Sequence, residues 1–337
     1  MVEVSLLSRH ILRDLCMDSR VTITELAQKY TVSRHVVKER VEALEREFGL
    51  RYTIEPNYAA LGFTELHILR MKFKKKAQPD SLSSIFAKSR VAQLVFTTKG
   101  DFDGVIFAVA KSPMEYSQWE TALYGVLSRY GAEIIQSETN IFHLGFIPLD
   151  NIAIEASNLE PIYKRMLSII NSDSRISIRD LSKEMGVSEA LTRYYFRELD
   201  KSKLIKRYTT LVTKSPMKVN IVYFGNNYIV KPGIQRRVER ERRTMYWKQL
   251  PEFPVVSEYP ISLSASGGDR FFTWANYNDY DEGKKQSVDA HVAAYREDEP
   301  KMALATVEKV IKGYPPIRNI DQKEIYGVVD WTGGELI

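Results

Sequence analysis

Cysteine is almost absent from this 337-residue chain, which contains only Cys16. One cysteine cannot form a disulfide within the chain, so a disulfide-stapled fold is excluded and a reducing compartment is indicated. Cys16 follows Leu12 and Leu15 in a segment with helical apolar spacing, which predicts a small buried side chain and not a nucleophile. No uncharged run of the sequence approaches the roughly 20 residues that a membrane-spanning helix needs.

Sequence signals for export, metal binding and phosphate binding are also missing. Arg9, His10 and Arg13 interrupt the N-terminal apolar residues, so we predict no signal peptide and expect a cytoplasmic protein. The five histidines do not cluster in the sequence. No Cys/His metal spacing, glycine-rich phosphate loop or nucleophile elbow occurs. We therefore expect no cofactor, no metal site, no catalytic residue and no membrane partner.

The chain does have an ordinary globular composition with a small basic excess. Hydrophobic residues make up 44% of it, charged residues make up 27%, and the formal net charge is +5. This balance allows enough burial to offset chain entropy, so wholesale disorder is not expected. The basic excess permits a nucleic-acid partner without requiring one.

An internal repeat organises the chain. Residues 18–33 read DSRVTITELAQKYTVS and residues 173–188 read DSRISIRDLSKEMGVS, an offset of 155 (173 minus 18) without a gap. A duplicated unit of about 155 residues has a normal size for a small module or a pair of modules. The polar segment from Pro148 to Pro161 is predicted to be the linker between the two copies.

Each half begins with three predicted helices and a short β-prone run. In the first half, Thr22 or Thr24 caps the second helix and Ser33 caps the third, which has an apolar face of Val37, Val41, Leu44 and Phe48. In the second half, Gly186 lies in the turn, Ser188 is the cap, and the third helix is expected to bury Leu191, Phe196 and Leu199. Two helices joined by a tight turn predict a helix-turn-helix, with the third helix as the recognition helix. Thr31 stands where the second copy has Gly186, so a left-handed turn there would strain the threonine.

The solvent face of each third helix, with the strand that follows it, is the predicted DNA-binding surface. The start of a recognition helix reaches base edges, where arginine pairs with guanine, and flanking cations contact phosphates. The expected DNA contacts are Ser33, Arg34, His35, Lys38, Arg40 and the wing residue Arg51 in the first half, and Ser188, Thr192, Arg193, Tyr194, Arg197 and the wing residues Lys206 and Arg207 in the second. The same pattern is also typical of a solvated charged helix face.

The rest of each half predicts strands and helices in the order βαββαβ, which is the ferredoxin-like arrangement. The predicted elements span 64–74, 80–88, 91–98, 105–110, 114–130 and 134–144 in the first half, and 219–230, 235–250, 255–263, 271–276, 280–295 and 303–311 in the second. The arginine-rich stretch 235–250 is either a phosphate-facing patch or a solvated face of ion pairs. Because an exposed four-stranded sheet face is a large apolar patch, we expect the two sheets to pair, within one chain or between chains.

The fold class is therefore α+β, with two winged helix-turn-helix domains alternating with two ferredoxin-like domains. The predicted boundaries are 1–58 and 151–214 for the winged helices. The ferredoxin-like domains are predicted at 59–150 and 215–337, the second with a C-terminal extension.

Nearly all of residues 5–147 resemble the Lrp/AsnC family of transcription regulators. The resemblance is carried by Ile11–Leu15, Asp18–Val21, Glu25–Ala27, Pro56 with Leu61-Gly62-Phe63, Gly100-Asp101-Phe102-Asp103, and Glu138-Thr139. It implies a winged-helix domain, a ferredoxin-like domain that dimerises through its sheet, and an amino-acid effector bound near the turn, with Gly100, Asp101 and Asp103 as effector-binding residues. The turn is equally typical of a plain hairpin. The second half departs from the pattern, because Gly267-Gly268-Asp269-Arg270-Phe271 lacks the second aspartate.

The same two-unit order also resembles the siroheme decarboxylases, enzymes of haem biosynthesis. That resemblance implies histidine and arginine in the second α+β unit, to handle a carboxylate-rich tetrapyrrole. The segment Val256-Ser257-Glu258-Tyr259-Pro260 has a glutamate where the histidine is expected. We therefore expect a sequence-specific DNA-binding transcriptional regulator, with the decarboxylase as the alternative from another class.

Overall fold

A computed structural model describes residues 5–76, 79–141, 147–214, 219–226, 257–260, 271–277, 281 and 301–314. The first half contains α1 (Leu6–Met17), α2 (Ile23–Tyr30), α3 (Arg34–Phe48), β1 (Leu50–Pro56), β2 (Glu65–Lys75), α4 (Pro79–Ala87), β3 (Ala92–Gly100), β4 (Gly104–Ala110), α5 (Pro113–Arg129) and β5 (Glu133–Ile141). The second contains α6 (Asn151–Ala156), α7 (Pro161–Ser172), α8 (Ile178–Met185), α9 (Glu189–Lys201), β6 (Ile205–Val212), β7 (Val219–Asn226), β8 (Ser257–Pro260), β9 (Phe271–Tyr277) and β10 (Lys301–Lys312). The predicted helix 235–250, the turn 267–270, most of 280–295 and the tail beyond 314 lie outside the described residues.

The helix-turn-helix begins where the capping residues predict. Thr22 caps α2 in a reciprocal capping box with Glu25, and Ser33 accepts a hydrogen bond from the N–H of Val36 at the start of α3. Ser177 and Ser188 cap α8 and α9 in the same way. Each cap satisfies a backbone donor that the first helical turn leaves without a partner. The order α7, α8, α9, β6 thus repeats the order α1, α2, α3, β1.

The turn between the two helices adopts a left-handed backbone in both halves. Thr31 has φ 55°, and Gly186 has φ 69°. A left-handed conformation costs an L-residue roughly 1–2 kcal/mol, whereas glycine adopts it freely. The strain expected for Thr31 is therefore present, and glycine at position 186 avoids it.

Gly186→Thr is expected to lower the free energy of unfolding by about 1–2 kcal/mol, because the substitution imposes left-handed strain without a clash. A Cβ atom at position 186 would meet nothing within 4 Å. Thr31→Gly is the matched control and should be neutral or stabilising. Urea unfolding of the two variants checks this, and equal stability of Gly186→Thr and the wild type would contradict it.

The strands that follow the two recognition helices pair with each other. β1 and β6 form a two-stranded antiparallel sheet in which Thr53 lies opposite Thr209. Contacts across the sheet are reciprocal: the N–H of Ser19 donates to the carbonyl of Tyr208 over 3.1 Å, and the N–H of Ser174 donates to that of Tyr52 over 3.2 Å. This arrangement places a local pseudo-twofold axis between the two threonines. The two strands predicted to be wings therefore form one sheet with each other.

Eight further strands form one antiparallel sheet in the order β5-β2-β4-β3-β10-β7-β9-β8. The first four follow the ferredoxin-like order, and β10, β7, β9 and β8 repeat that order in the second half. β3 pairs with β10, so the two sets of strands join edge to edge within one chain, whereas the expectation was a contact between sheet faces. Gly100 is essential at this junction, since a Cβ there would lie 2.5 Å from the carbonyl oxygen of Leu304.

The two faces of the sheet pack against different elements. Helices α4 and α5 cover one face through residues such as Leu69, Phe86 and Leu127. The opposite face, which we call the inner face, belongs to a core that continues into both sets of helices and includes Phe107 and Phe224. Burial of this shared core couples the stability of the two halves.

The segment between the halves is not the exposed linker that its composition predicts. It contains α6, and both Ala153 and Ile154 are buried in the shared core. The Lys312 ammonium lies 2.6 Å from the Asp150 carboxylate, which ties the segment to β10. A few apolar residues therefore suffice to fold this polar stretch back onto the core.

Candidate DNA interface and neighbouring pocket

Helix α3 presents its predicted DNA-binding residues to solvent. Arg34, His35, Lys38 and Arg40 are all exposed, and Ser33 holds the start of the helix. His35 and Lys38 pair only loosely with acids one turn on, over 3.4 and 3.7 Å. Exposed pairs of this kind contribute little energy, so these side chains can exchange their acids for phosphates or base edges.

Helix α9 matches the prediction less closely. Arg193, Tyr194 and Arg197 are exposed, but Thr192 is fully buried and its hydroxyl donates to the carbonyl of Ser188. Leu191, expected in the core, is instead 40% exposed. Leu199 is buried and Phe196 is partly buried, as predicted, so the predicted core face fails at Leu191 alone. Because Thr192 is buried, it cannot contact DNA in this conformation.

The starts of the two recognition helices also differ in charge. The first two residues of α3 are Arg34 and His35, whereas α9 begins with Glu189 and Ala190. Glu189 forms an ion pair with Arg193 over 3.4 Å. Its negative charge repels DNA phosphates and also neutralises part of the positive charge of Arg193. The first recognition helix is thus the more suitable one for DNA.

The three predicted wing cations have structural partners. Arg207 is only 13% exposed and lies 3.6 Å from the fully buried carboxylate of Glu55. Lys206 contacts the same carboxylate over 2.8 Å, although its side chain is 55% exposed. Arg51 lies over the ring of Tyr314. The prediction that Arg207 faces a DNA phosphate is therefore wrong, because it compensates a buried charge.

The residues predicted to bind an effector hold the two halves of the sheet together. The backbone N–H of Asp101 donates to the carbonyl of Leu304, and the Asp101 carboxylate accepts from the Leu304 N–H over 2.8 Å. Gly100 permits this approach. Asp103 is buried; burial raises its pKa, but the N–H of Phe73 and the Lys76 ammonium outweigh this and hold the pKa below its usual value. Asp103 therefore supports the hairpin, and it is not among the lining residues of the pocket beside this turn.

A small pocket of about 280 Å³ lies beside this turn, on the inner face of the sheet. Its lining residues are Arg70, Met71, Lys72, Asp101, Phe102, Gln136, Glu138 and Ala303. Arg70 forms an ion pair with Glu138, and its guanidinium lies 5.1 Å from the ring centre of Phe224 on β7. The pocket therefore joins the first half to the second.

Sequence reasoning found Asp101 but missed the pocket's other polar residues. Arg70 and Lys72 alternate on β2, and Gln136 and Glu138 alternate on β5. Alternation places each pair on one face of its strand, but only the pairing of β2 with β5 brings them together. Polar residues at alternate positions of two otherwise apolar strands are the sequence pattern that could have indicated this pocket.

His67 is a buried histidine on the helix-covered face of the sheet. Its ring stacks on Tyr116 with 3.6 Å between ring centres, and Glu65 lies 3.4 Å from its Nε2. Neither ring nitrogen forms a hydrogen bond within the described part of the chain. Burial lowers the pKa of His67 to about 4.

Stability is expected to fall as the pH drops from about 6.5 to 4, because unfolded His67 binds a proton that the folded form excludes. The contribution is fully present above the unfolded pKa and declines by up to about 1.4 kcal/mol per pH unit below it. In His67→Phe, this part of the acid sensitivity should disappear. Urea unfolding at pH 7 and 4.5 measures it, with exposed His35→Ala as the control. The same acid loss in wild type and His67→Phe would exclude this cause.

Three comparisons with known proteins bear on this surface. Residues 159–206 match the sequence profile of a winged helix-turn-helix DNA-binding family, so the second half contains that domain. A helix-turn-helix-type transcriptional regulator from Pyrococcus horikoshii is 26% identical over 133 residues, which cover 39% of this chain and 87% of the relative.

Solved structures extend the likeness of fold to almost the whole chain. The siroheme decarboxylase NirDL superposes with a TM-score of 0.58 at 14% identity, covering 94% of this chain and 95% of its own. The leucine response regulatory protein of Mycobacterium tuberculosis is 21% identical and covers 42% of this chain and 94% of its own, with a TM-score of 0.34. Among the residues that the structure describes, no helix is long and apolar enough to cross a bilayer, and no group of three acidic, histidine or cysteine side chains could hold a metal ion.

Proposed function

We propose that the protein is a sequence-specific DNA-binding transcriptional regulator. The observation that carries this is the capped helix α3, whose exposed face presents Arg34, His35, Lys38 and Arg40. The winged helix-turn-helix match in the second half and the transcriptional regulators among the relatives support the same function. The resemblance to Lrp/AsnC regulators is consistent with it.

The finer organisation is part of this proposal. Two copies of one unit form winged helices at 1–58 and 151–214 and ferredoxin-like domains at 59–150 and 215–337. Repeated element order and the reciprocal contacts of Ser19 and Ser174 support a tandem duplication. Helix α3 would read bases, while α9 would position the second half through Arg193, Tyr194 and Arg197. The preferred DNA site is then an imperfect repeat with unequal half-sites.

The pocket beside Asp101 is the proposed effector site. It offers two cations, two carboxylates and an amide within about 280 Å³, close to the lower limit for a small-molecule site. Such a lining suits a small molecule that carries both charges, which includes amino acids. Because Asp101 also bonds to β10, a ligand there would change how the halves are held together.

The second candidate is a siroheme-decarboxylase-like enzyme, which the likeness of fold to NirDL favours. The chemistry of the pocket does not suit that substrate. A carboxylate-rich tetrapyrrole needs a large, strongly basic cavity, whereas the cations Arg70 and Lys72 are balanced here by Asp101 and Glu138. The regulator is therefore the better-supported function.

Two parallel assays distinguish the candidates. Nuclease footprinting on the DNA upstream of the protein's own coding sequence should show a protected stretch with unequal halves. Titration with siroheme should leave the absorbance spectrum of the pigment unchanged. A spectral shift at a stoichiometric ratio, together with no footprint, would favour the enzyme.

A further inference from the structure

Two arginines at equivalent positions of the repeat reach across to the opposite half. Arg20 and Arg175 are 155 residues apart, and each follows a buried serine, Ser19 or Ser174. The hydroxyls of these serines lie 2.6 Å from each other. Each arginine therefore starts beside the centre of the interface.

Each guanidinium lies over aromatic rings of the other half. Arg20 is 4.9 Å from the ring centre of Phe196 and 5.2 Å from that of Tyr208. Arg175 is 4.7 Å from the ring centre of Tyr52. These distances fall within the roughly 6 Å range of cation–π attraction. Nη1 of Arg20 is buried and has no hydrogen-bond partner among the described residues.

The rings connect the arginines to the recognition helices. Phe196 lies on α9 itself, and the Tyr208 hydroxyl donates to Asp200 on the same helix over 2.9 Å. In the other half, the Tyr52 hydroxyl donates to Glu45 on α3 over 2.6 Å. Arg20 thus contacts a recognition helix directly, whereas Arg175 reaches one only through a tyrosine.

The surrounding interface supplies a rigid base for these contacts. Thr209 donates to the carbonyl of Cys16 over 2.6 Å, and Thr53 donates to that of Asn171 over 2.8 Å. Cys16 and Asn171 are again 155 residues apart, so α1 is tied to β6 and α7 is tied to β1. The two helix-turn-helix units therefore pack as one interlocked body.

We propose that Arg20 and Arg175 are positioning residues that hold the two recognition helices at one separation, so that the protein accepts DNA half-sites at a single spacing. This inference rests on the proposed function. A fixed geometry lets the second half-site bind as an intramolecular event, which raises affinity only when the spacing matches. We expect Arg20 to have the larger positioning effect of the two, because it contacts α9 directly and lies over two rings.

The DNA test compares probes that carry one half-site, both half-sites at the natural spacing, or both with 5 bp inserted. Five base pairs turn one half-site to the opposite face of the duplex. For the wild type, the insertion should lower the affinity at least about 100-fold. Arg20→Ala should bind the natural probe about tenfold more weakly than the wild type does, and the insertion should lower its affinity only about tenfold. Arg175→Ala should show a smaller change in the same direction.

Controls separate positioning from general damage. Exposed Arg13→Ala, on the helix before Arg20, should behave as wild type. Arg20→Lys keeps the charge but loses the planar stacking surface, so it should fall between wild type and Arg20→Ala. Single-half-site binding should change less than twofold in every variant. An unchanged insertion penalty in Arg20→Ala, or an equal loss on the single-half-site probe, would overturn the proposal.

A second readout needs no DNA and remains valid if the proposed function fails. Spin labels at Glu42→Cys on α3 and Arg197→Cys on α9 report the distance between the helices, and buried Cys16 is protected from labelling. The distance distribution should be narrow in the otherwise unchanged protein and at least twice as broad in Arg20→Ala. Equal widths would refute positioning by Arg20. A narrow distribution in the labelled protein that carries arginine at position 20, together with no DNA binding by the wild type, would refute the regulator alone.

Discussion

Replacing Arg207 by alanine is expected to lower the free energy of unfolding by about 3 kcal/mol, because the change leaves the buried carboxylate of Glu55 short of a partner. Glu55 is fully buried on β1, and Arg207 approaches it from β6 across the central two-stranded sheet. Lys206 remains 2.8 Å away but is half-exposed, so it replaces only part of the lost compensation. Urea unfolding at pH 7 measures the loss.

The matched control removes both charges. In the antiparallel register Glu55 pairs with Arg207 as Leu211 pairs with Arg51, so Leu211 is the equivalent position in the second half. Leu211 is buried, so this environment accepts leucine. Glu55→Leu combined with Arg207→Leu should recover most of the stability lost in Arg207→Ala. If Arg207→Ala were as stable as the wild type but bound DNA with a salt slope lower by about one ion, Arg207 would be a phosphate contact after all.

Replacing Arg34, Lys38 and Arg40 together by alanine is expected to weaken specific DNA binding by at least about 100-fold. A base-reading arginine contributes roughly 1–3 kcal/mol, and each phosphate contact adds an electrostatic share. All three side chains are exposed on α3, so the thermal midpoint should stay near that of the wild type. Gel shifts with the footprinted fragment measure the loss.

The equivalent surface of α9 provides the comparison. Replacing Arg193, Tyr194 and Arg197 together should weaken binding by only about tenfold, since Glu189 already offsets part of the positive charge there. Equal losses for the two triple variants would contradict the unequal roles of the helices. No loss in either would leave the regulator without its mechanism.

The helix-turn-helix could be predicted from sequence because its determinants are local. Ser33 and Ser188 cap their helices through bonds to residues three positions on, which any reading of the sequence can place. The 155-residue repeat also indicates which residues of the two halves can contact each other. Ser19 and Ser174 occupy the same repeat position, and equivalent residues can meet at a pseudo-twofold axis.

The errors arose where tertiary partners decide the outcome. Leu191 is exposed and Thr192 is buried because adjacent helix positions differ in direction by about 100°, and packing against neighbouring helices decides which of the two faces the core. Arg207 is basic in a strand that follows a recognition helix, but its partner Glu55 lies 152 residues earlier (207 minus 55). The pocket was missed for the same reason, since only strand pairing brings Arg70 to Glu138.

The affinity of the unmodified protein for its own upstream DNA, followed from about 50 to 200 mM salt against a scrambled fragment, decides whether the protein is a sequence-specific DNA-binding regulator. We expect specific binding at the lowest salt, with the logarithm of the association constant falling linearly as the logarithm of the salt concentration rises. The natural fragment should bind at least about 1,000-fold more tightly than the scrambled one. Binding that is undetectable at about 50 mM salt, or equal for both fragments, would contradict this function.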